Sequence, residues 1–295
     1  MDIVALFYDL DNFATQFSQL YKRPALSEGK RHRNRQGFMH ISEVMTIMIL
    51  FHASNHRTFK HFYLAHVLQY LRGEFPQLVS YHRFIELIPN ALPVLIGFLQ
   101  ARKADCSGIS FIDSTPLRVC HNLRINSHRV TAGLAQRGKT STGWFFGFKL
   151  HLVTNDKGQL LDVCLTPGNV DDRVPVDKLT QKLWGKLVGD KGYISGPLFG
   201  KLFGRGLQLL TRLKSNMKNK LIPLFDKLLL RKRAIIETII DQCKNIMQIE
   251  HSRHRGVPRY FADILAGIIA YTYQEKLPSL NLTPPQMKML KGYAI

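Results

Sequence analysis

The sequence predicts an α/β fold, with a helical first third followed by a mixed sheet that carries helices on its faces. Three observations predict it. Apolar residues recur at three- and four-residue steps up to about residue 104. Strand-like runs appear from residue 107 onward. The later runs alternate with helical stretches. Hydrophobic residues make up 45% of the 295-residue chain and aromatics 10%, which is enough for a real core and excludes wholesale disorder.

In the first third, residues 41–53 are densely apolar and open with His40-Ile41-Ser42-Glu43. Phe59, Phe62, Tyr63, His66 and Val67 lie on one helix face. Ser80-Tyr81-His82-Arg83-Phe84 begins another short helix. Three short helices with a basic loop form either a helix-turn-helix-like unit or an ordinary helical bundle. The domain boundary is placed at 104/105.

Residues 108–113 read GISFID, a short buried strand. Residues 144–155 alternate and are rich in aromatics. Residues 160–166 form a third strand, with Gly158 at the hairpin turn before it. Residues 187–190 and 207–213 are the fourth and fifth. Helical stretches fall at 172–184 and 197–203, and a long helix runs from 228 to about 248. Trp144, Phe145 and Phe146 are expected in the core. Lys149 and His151 share one strand face.

Charge narrows the function. Lys and Arg number 41 against 21 Asp and Glu, a formal net charge of +20, with a pI near 10.0. Such a chain suits a polyanionic partner, nucleic acid first and an anionic membrane surface second. The longest apolar runs, 45–51, 91–99 and 264–271, are too short to span a bilayer, and the acidic start is a poor signal peptide. No membrane partner is therefore expected. The cysteines Cys106, Cys120, Cys164 and Cys243 form no CxxC pair, so they read as reduced thiols of a cytosolic protein.

Two acids are placed at strand ends, Asp113 in SFIDSTPL and Asp190 in KLVGDKGY. The C-terminal end of a strand is a common place for a site, and an Asp there also serves turns and helix caps. A third acid, Glu237, stands among Ile235, Ile236, Ile239 and Ile240. Arg233 and Lys244 lie at helical steps from it, so all three fall on one helix face, as a site or as a salt-bridged stripe. Three separated carboxylates suit Mg²⁺, a hard ion that prefers oxygen ligands. Two such ions can clamp an in-line phosphoryl displacement, while neighbouring Lys and Arg hold the DNA backbone.

At these residues the chain resembles bacterial insertion-sequence transposases of the DDE class, in the retroviral-integrase-like superfamily, and more narrowly the insertion sequence nine-eight-two family. The resemblance rests on FIDSTPLRVC, GWFFGFKLHLV, LTPGNVDDR, GDKGYIS, LRKRAIIETIIDQCKN and IEHSRHRG, in that order, with HASNHRTFKHFY and SYHRF before them. It implies a ribonuclease-H-like fold for residues 105–295, with Asp113, Asp190 and Glu237 as catalytic, metal-binding acids. It implies two Mg²⁺ ions, with Mn²⁺ able to substitute. Arg233 and Lys244 match the Arg and Lys of an R-x3-E-x6-K signature, and the Tyr often found before it is Leu230 here. Tyr193 matches the family's D-K-G-Y pattern, either as a DNA contact or as an aromatic lid over the strand end.

The implied activity is cleavage at terminal inverted repeats and joining of the 3′-OH ends to target DNA. It needs no nucleotide cofactor and takes place in the bacterial cytoplasm. Two ends must meet, so a homodimer or higher oligomer on DNA is expected. Further DNA contacts are expected at Lys191, at Lys30, Arg31, Arg33 and Arg35 in the basic loop, and at Arg253 and Arg255. Asp172 is read as the cap of a helix beginning near Arg173.

Overall fold

The computed structural model describes residues 1–20, 39–141, 143–213, 217, 221–250, 255–280, 283 and 285. The expected contacts Lys30, Arg31, Arg33, Arg35 and Arg253 lie outside the described residues. The chain divides into two compact units. One comprises residues 1–102 and 243–275, the other residues 103–242 and 276–295. The sequence reading divides the chain once, at 104/105, whereas residues 243–275 group with the helices of the first unit.

The first unit is helical. Helix α1 (Ile3–Leu20) buries Leu6 and Leu10. Helix α2 (Ile41–Ala53) is apolar almost all round and is buried accordingly, with the His40 N–H donating to Glu43 at its start. Two short helices, α3 (Phe59–Phe62) and α4 (Leu68–Tyr70), flank a π-helical turn at Tyr63–Val67. Helix α5 (Tyr81–Ala101) was expected to be short. It runs for 21 residues because Phe84, Ile88, Ala91, Leu95 and Phe98 extend one buried stripe. Its N-terminus is fixed by Ser80, whose hydroxyl accepts from the Arg83 N–H. Among the described residues it alone has the length and hydropathy of a membrane span. Here it packs on α1, α2 and the helix Val257–Thr272. That last helix is tied to α2 through buried His52, which lies 3.3 Å from the Asp263 carboxylate and 2.5 Å from the Met247 carbonyl oxygen.

The second unit is built on a six-stranded sheet. Its strands are β1 (Ile109–Cys120), β2 (Gln136–Thr140), β3 (Gly143–Asn155), β4 (Leu160–Pro167), β5 (Gly185–Val188) and β6 (Leu207–Leu210). The order is β2-β3-β1-β5-β6, and β4 pairs with β3 beside β2. β1 and β4 run antiparallel to β3, while β5 and β6 run parallel to β1. An antiparallel meander continued by parallel strands is an α/β mixed sheet, and it fits the ribonuclease-H-like expectation.

Alternation assigns the two faces. Ile112, Val153, Leu187 and Leu209 face a core closed by α6 (Val176–Leu179) and α7 (Gly196–Phe203). On the opposite face α8 (Leu224–Lys232) is anchored by a buried ion pair between Asp226 and Lys186 of β5, and α9 (Ala234–Asp241) packs on β1.

Several expected boundaries differ. The strand expected at 108–113 continues to Cys120, because it pairs with β3 along its whole length. β2 was missed: QRGKT has no apolar alternation and forms only as the hairpin partner of β3. The helix expected over 172–184 shrinks to α6. The long helix from 228 breaks at Arg233 and gives way after Asp241 to a π turn, Gln242–Ile246. Phe145 is buried as expected, but Trp144 is 55% exposed.

Candidate active site

Asp113 stands within β1 and not at its end, as the fifth of its twelve residues. Its face is that of α8 and α9, because alternate side chains share a face. Phe111 pairs with Val188 across the parallel β1–β5 ladder. Asp113 and Asp190 each lie two residues beyond that pair, so they leave adjacent strands at the same level. Asp190 is exposed and opens a single 3-10 turn, Lys191–Tyr193.

Glu237 comes from α9. The helix break places Arg233 one turn before it. Arg233 donates from Nη1 to Asp113 Oδ2 at 3.2 Å and from Nη2 to Glu237 Oε1. Asp113 Oδ1 accepts from the Ser114 N–H at 2.8 Å. Burial pushes the Asp113 carboxyl up to about 6, against the pull of the Ser114 N–H and Arg233. The charges of Asp190 and Glu237 add to the rise. Asp190 and Glu237 are therefore both near enough to act on Asp113, and one guanidinium compensates Asp113 and Glu237.

The donor type suits a hard divalent cation, and the mutual repulsion registered at Asp113 is what such a cation would relieve. Among the described residues, no three His, Cys, Asp or Glu side chains are assembled as a finished metal cage. The Arg233 guanidinium bonds both Asp113 and Glu237, two of the residues that would hold a cation.

Behind Asp113, on the other sheet face, lies a polar layer that includes Lys149 and His151. His151 is fully buried, within 2.9 Å of the Thr166 hydroxyl. Burial lowers its pKa to about 4. Lys149 Nζ reaches the Val170 carbonyl at 2.9 Å and Asp172 Oδ1 at 3.0 Å. Lys149 and His151 do share a face, as alternation requires. Asp172 therefore holds Lys149 and caps no helix. Its neighbour Asp171 takes the Arg173 backbone N–H and guanidinium.

Two expected DNA contacts stand elsewhere. Tyr193 is 2% exposed and packs with Ile112, Val153 and Leu202, so its ring is a core lid beside Asp113 and is not offered to DNA. Lys244 sits in the π turn and pairs with Glu250 at 2.8 Å. The step from Glu237 to Lys244 predicted a common face for an unbroken α-helix, and the π turn changes that period. Lys191 and Arg255 are exposed.

The chain is similar to two solved transposase structures. A piggyBac transposase synaptic complex with hairpin DNA shares 12% identity, with 98% of this chain and 76% of that chain covered and a TM-score of 0.48. The Mos1 strand transfer complex shares 10% identity, with 82% and 88% covered and a TM-score of 0.23. No curated protein sequence matches the chain. The family rests instead on sequence: the family model described as "Transposase DDE domain" matches residues 103–257, more than half of the chain, and takes in Asp113, Asp190 and Glu237. The chain belongs to the family of transposase DDE domains.

Proposed function

We propose that the chain is a DNA transposase of an insertion sequence, of the nine-eight-two kind, that cleaves at terminal inverted repeats and joins the freed 3′-OH ends to target DNA. The observation that supports the reading is that Arg233 bonds both Asp113 and Glu237, while Asp190 leaves the strand next to Asp113 at the same level, all within the matched transposase domain. The three acids would hold divalent cations, Mg²⁺ or Mn²⁺. When bound, these supply Lewis acidity at phosphodiester oxygens and acidify a water.

The chain's own residues do the rest. Arg233 keeps Asp113 and Glu237 compensated until a cation competes for them. Lys191, exposed directly after Asp190, takes a phosphate of the DNA backbone. Buried Tyr193 packs behind the turn that carries Asp190 and holds its direction. The helical unit, with Arg255 on its surface, contributes end recognition. Two copies bring the two ends together in the bacterial cytoplasm, and no nucleotide cofactor takes part.

The test is a labelled duplex carrying the element's own end, incubated with Mg²⁺ or EDTA. Nicking at the end that needs Mg²⁺ and is lost in Glu237→Gln supports the reading. Cleavage by Asp190→Ala would overturn the site. Specific binding of that end without any cutting by the parent protein would instead mark a DNA-binding protein without catalysis. Cutting of branched DNA irrespective of end sequence would mark a host nuclease of the same fold.

A further inference from the structure

Between Asp113 and Asp156 the chain contains no acidic residue, yet it carries Arg118, Arg124, Arg129, Arg137, Lys139 and Lys149. All but Lys149 are exposed. Among the described residues, no ion pair to a carboxylate engages Arg124, Arg129, Arg137 or Lys139. Arg137 and Lys139 stand on β2, at one end of the sheet. In the β2–β3 hairpin, Arg137 is opposite Phe146 and Lys139 is opposite Trp144, while Gly138 and Phe145 turn inward. Arg137, Lys139 and Trp144 therefore share the outward face.

Trp144 is the feature that needs an explanation. An indole 55% exposed is costly to leave in water, and this one is held in place. The Lys139 ammonium lies 5.6 Å from its ring centroid. Asn122 Nδ2 donates to the Trp144 carbonyl at 2.9 Å, which draws in the 3-10 turn Asn122–Ser127 with Arg124 and the 89% exposed Leu123. Register gives the direction. Leu152 is opposite Asp113, and even-numbered β3 residues continue on that face to Trp144. Eight residues of strand separate Leu152 from Trp144, roughly 26 Å at the usual rise.

We infer that this hairpin end is a second DNA-contact surface, on which the cations take backbone phosphates and an unpaired base stacks on the Trp144 indole. Cations interleaved with an exposed aromatic are what single-stranded nucleic acid requires, since every base offers a flat face. The inference rests on the transposase reading and deepens it: DNA held at the acids extends about 26 Å to a place that favours an unpaired strand.

The experiment uses the full chain carrying Glu237→Gln, so that binding is read without cleavage. Its substrates are an end duplex with a short single-stranded overhang and the same duplex blunt. In a Trp184→Phe background, Trp144 fluorescence should be quenched more by the overhang than by the blunt end. Trp144→Ala should weaken overhang binding by roughly 5- to 150-fold, and Trp144→Phe should recover part of it. Arg137→Ala and Lys139→Ala should each lower the salt slope of binding by about one. Equal overhang affinity in the parent and Trp144→Ala, while the unmutated site still nicks DNA, overturns this inference and leaves the transposase reading standing. Absence of both binding and nicking overturns the two together.

Discussion

Asp113 on β1 and His151 on the opposite face of β3 make opposite demands on proton uptake, and that gives a sharp test of the site's electrostatics. His151 is fully buried and its folded pKa is about 4, against 6.5 unfolded. Between those values only the unfolded chain takes the proton, so stability falls as pH drops through 6.5 towards 4. Asp113 has a folded pKa of about 6 against 3.8 unfolded. Here only the folded chain takes the proton, so the same acidification adds stability. Going from pH 7.5 to pH 5, linkage gives a loss of about 2 kcal/mol from His151 and a gain of about 1 kcal/mol from Asp113.

The pair thus masks its own pH dependence. Asp113→Asn removes the gain and exposes the loss, whereas His151→Gln removes the loss and exposes the gain. Urea unfolding of metal-free protein at pH 7.5 and pH 5 should give changes that differ between the two variants by about 3 kcal/mol, because all other groups are common to both. Equal changes in the two variants would contradict these opposite shifts. They would mean that neither burial nor the neighbouring acids perturb these groups as the geometry requires.

Three further outcomes are expected. Lys186→Met strands the Asp226 carboxylate in the interior, so it should cost about 3–5 kcal/mol in urea unfolding, and Lys186→Met with Asp226→Leu should recover most of it; a double variant no better than the single would count against the pairing. Gly185→Ala should destabilise by at least about 2 kcal/mol, because its φ is +83° and an added Cβ would stand 2.3 Å from the Gly108 carbonyl oxygen; an unchanged urea midpoint would exclude that close approach. Arg233→Met leaves the three acids facing one another without the guanidinium, so at neutral pH its melting temperature should fall and added Mg²⁺ should raise it more than in the parent protein; equal Mg²⁺ shifts would argue that Arg233 does not compete with a cation.

Some of the site was legible from local pattern. The strands at Asp113 and Asp190 show as apolar runs, and the Arg233–Glu237 step of one helical turn holds across the start of α9. The β3–β4 hairpin was visible through its alternation and Gly158, whose φ is +73°. What failed did so for identifiable reasons. Trp144 was assigned to the core by its hydrophobicity, but position in a hairpin decides exposure. Tyr193 has the amphipathic character of a surface contact, but the turn after β5 folds it inward over Ile112. Lys244 obeyed the α-helical period on paper, and the π turn broke it.

Elements and charge are readable in the sequence, because periodicity, turn residues and net charge are local or additive properties. Which side chains meet depends on tertiary packing. That Arg233 joins Asp113 across 120 positions, that Lys186 neutralises Asp226, and that residues 243–275 fold with the helices of the first unit all depend on packing between distant segments. No local pattern encodes such contacts, because they join residues far apart in the chain.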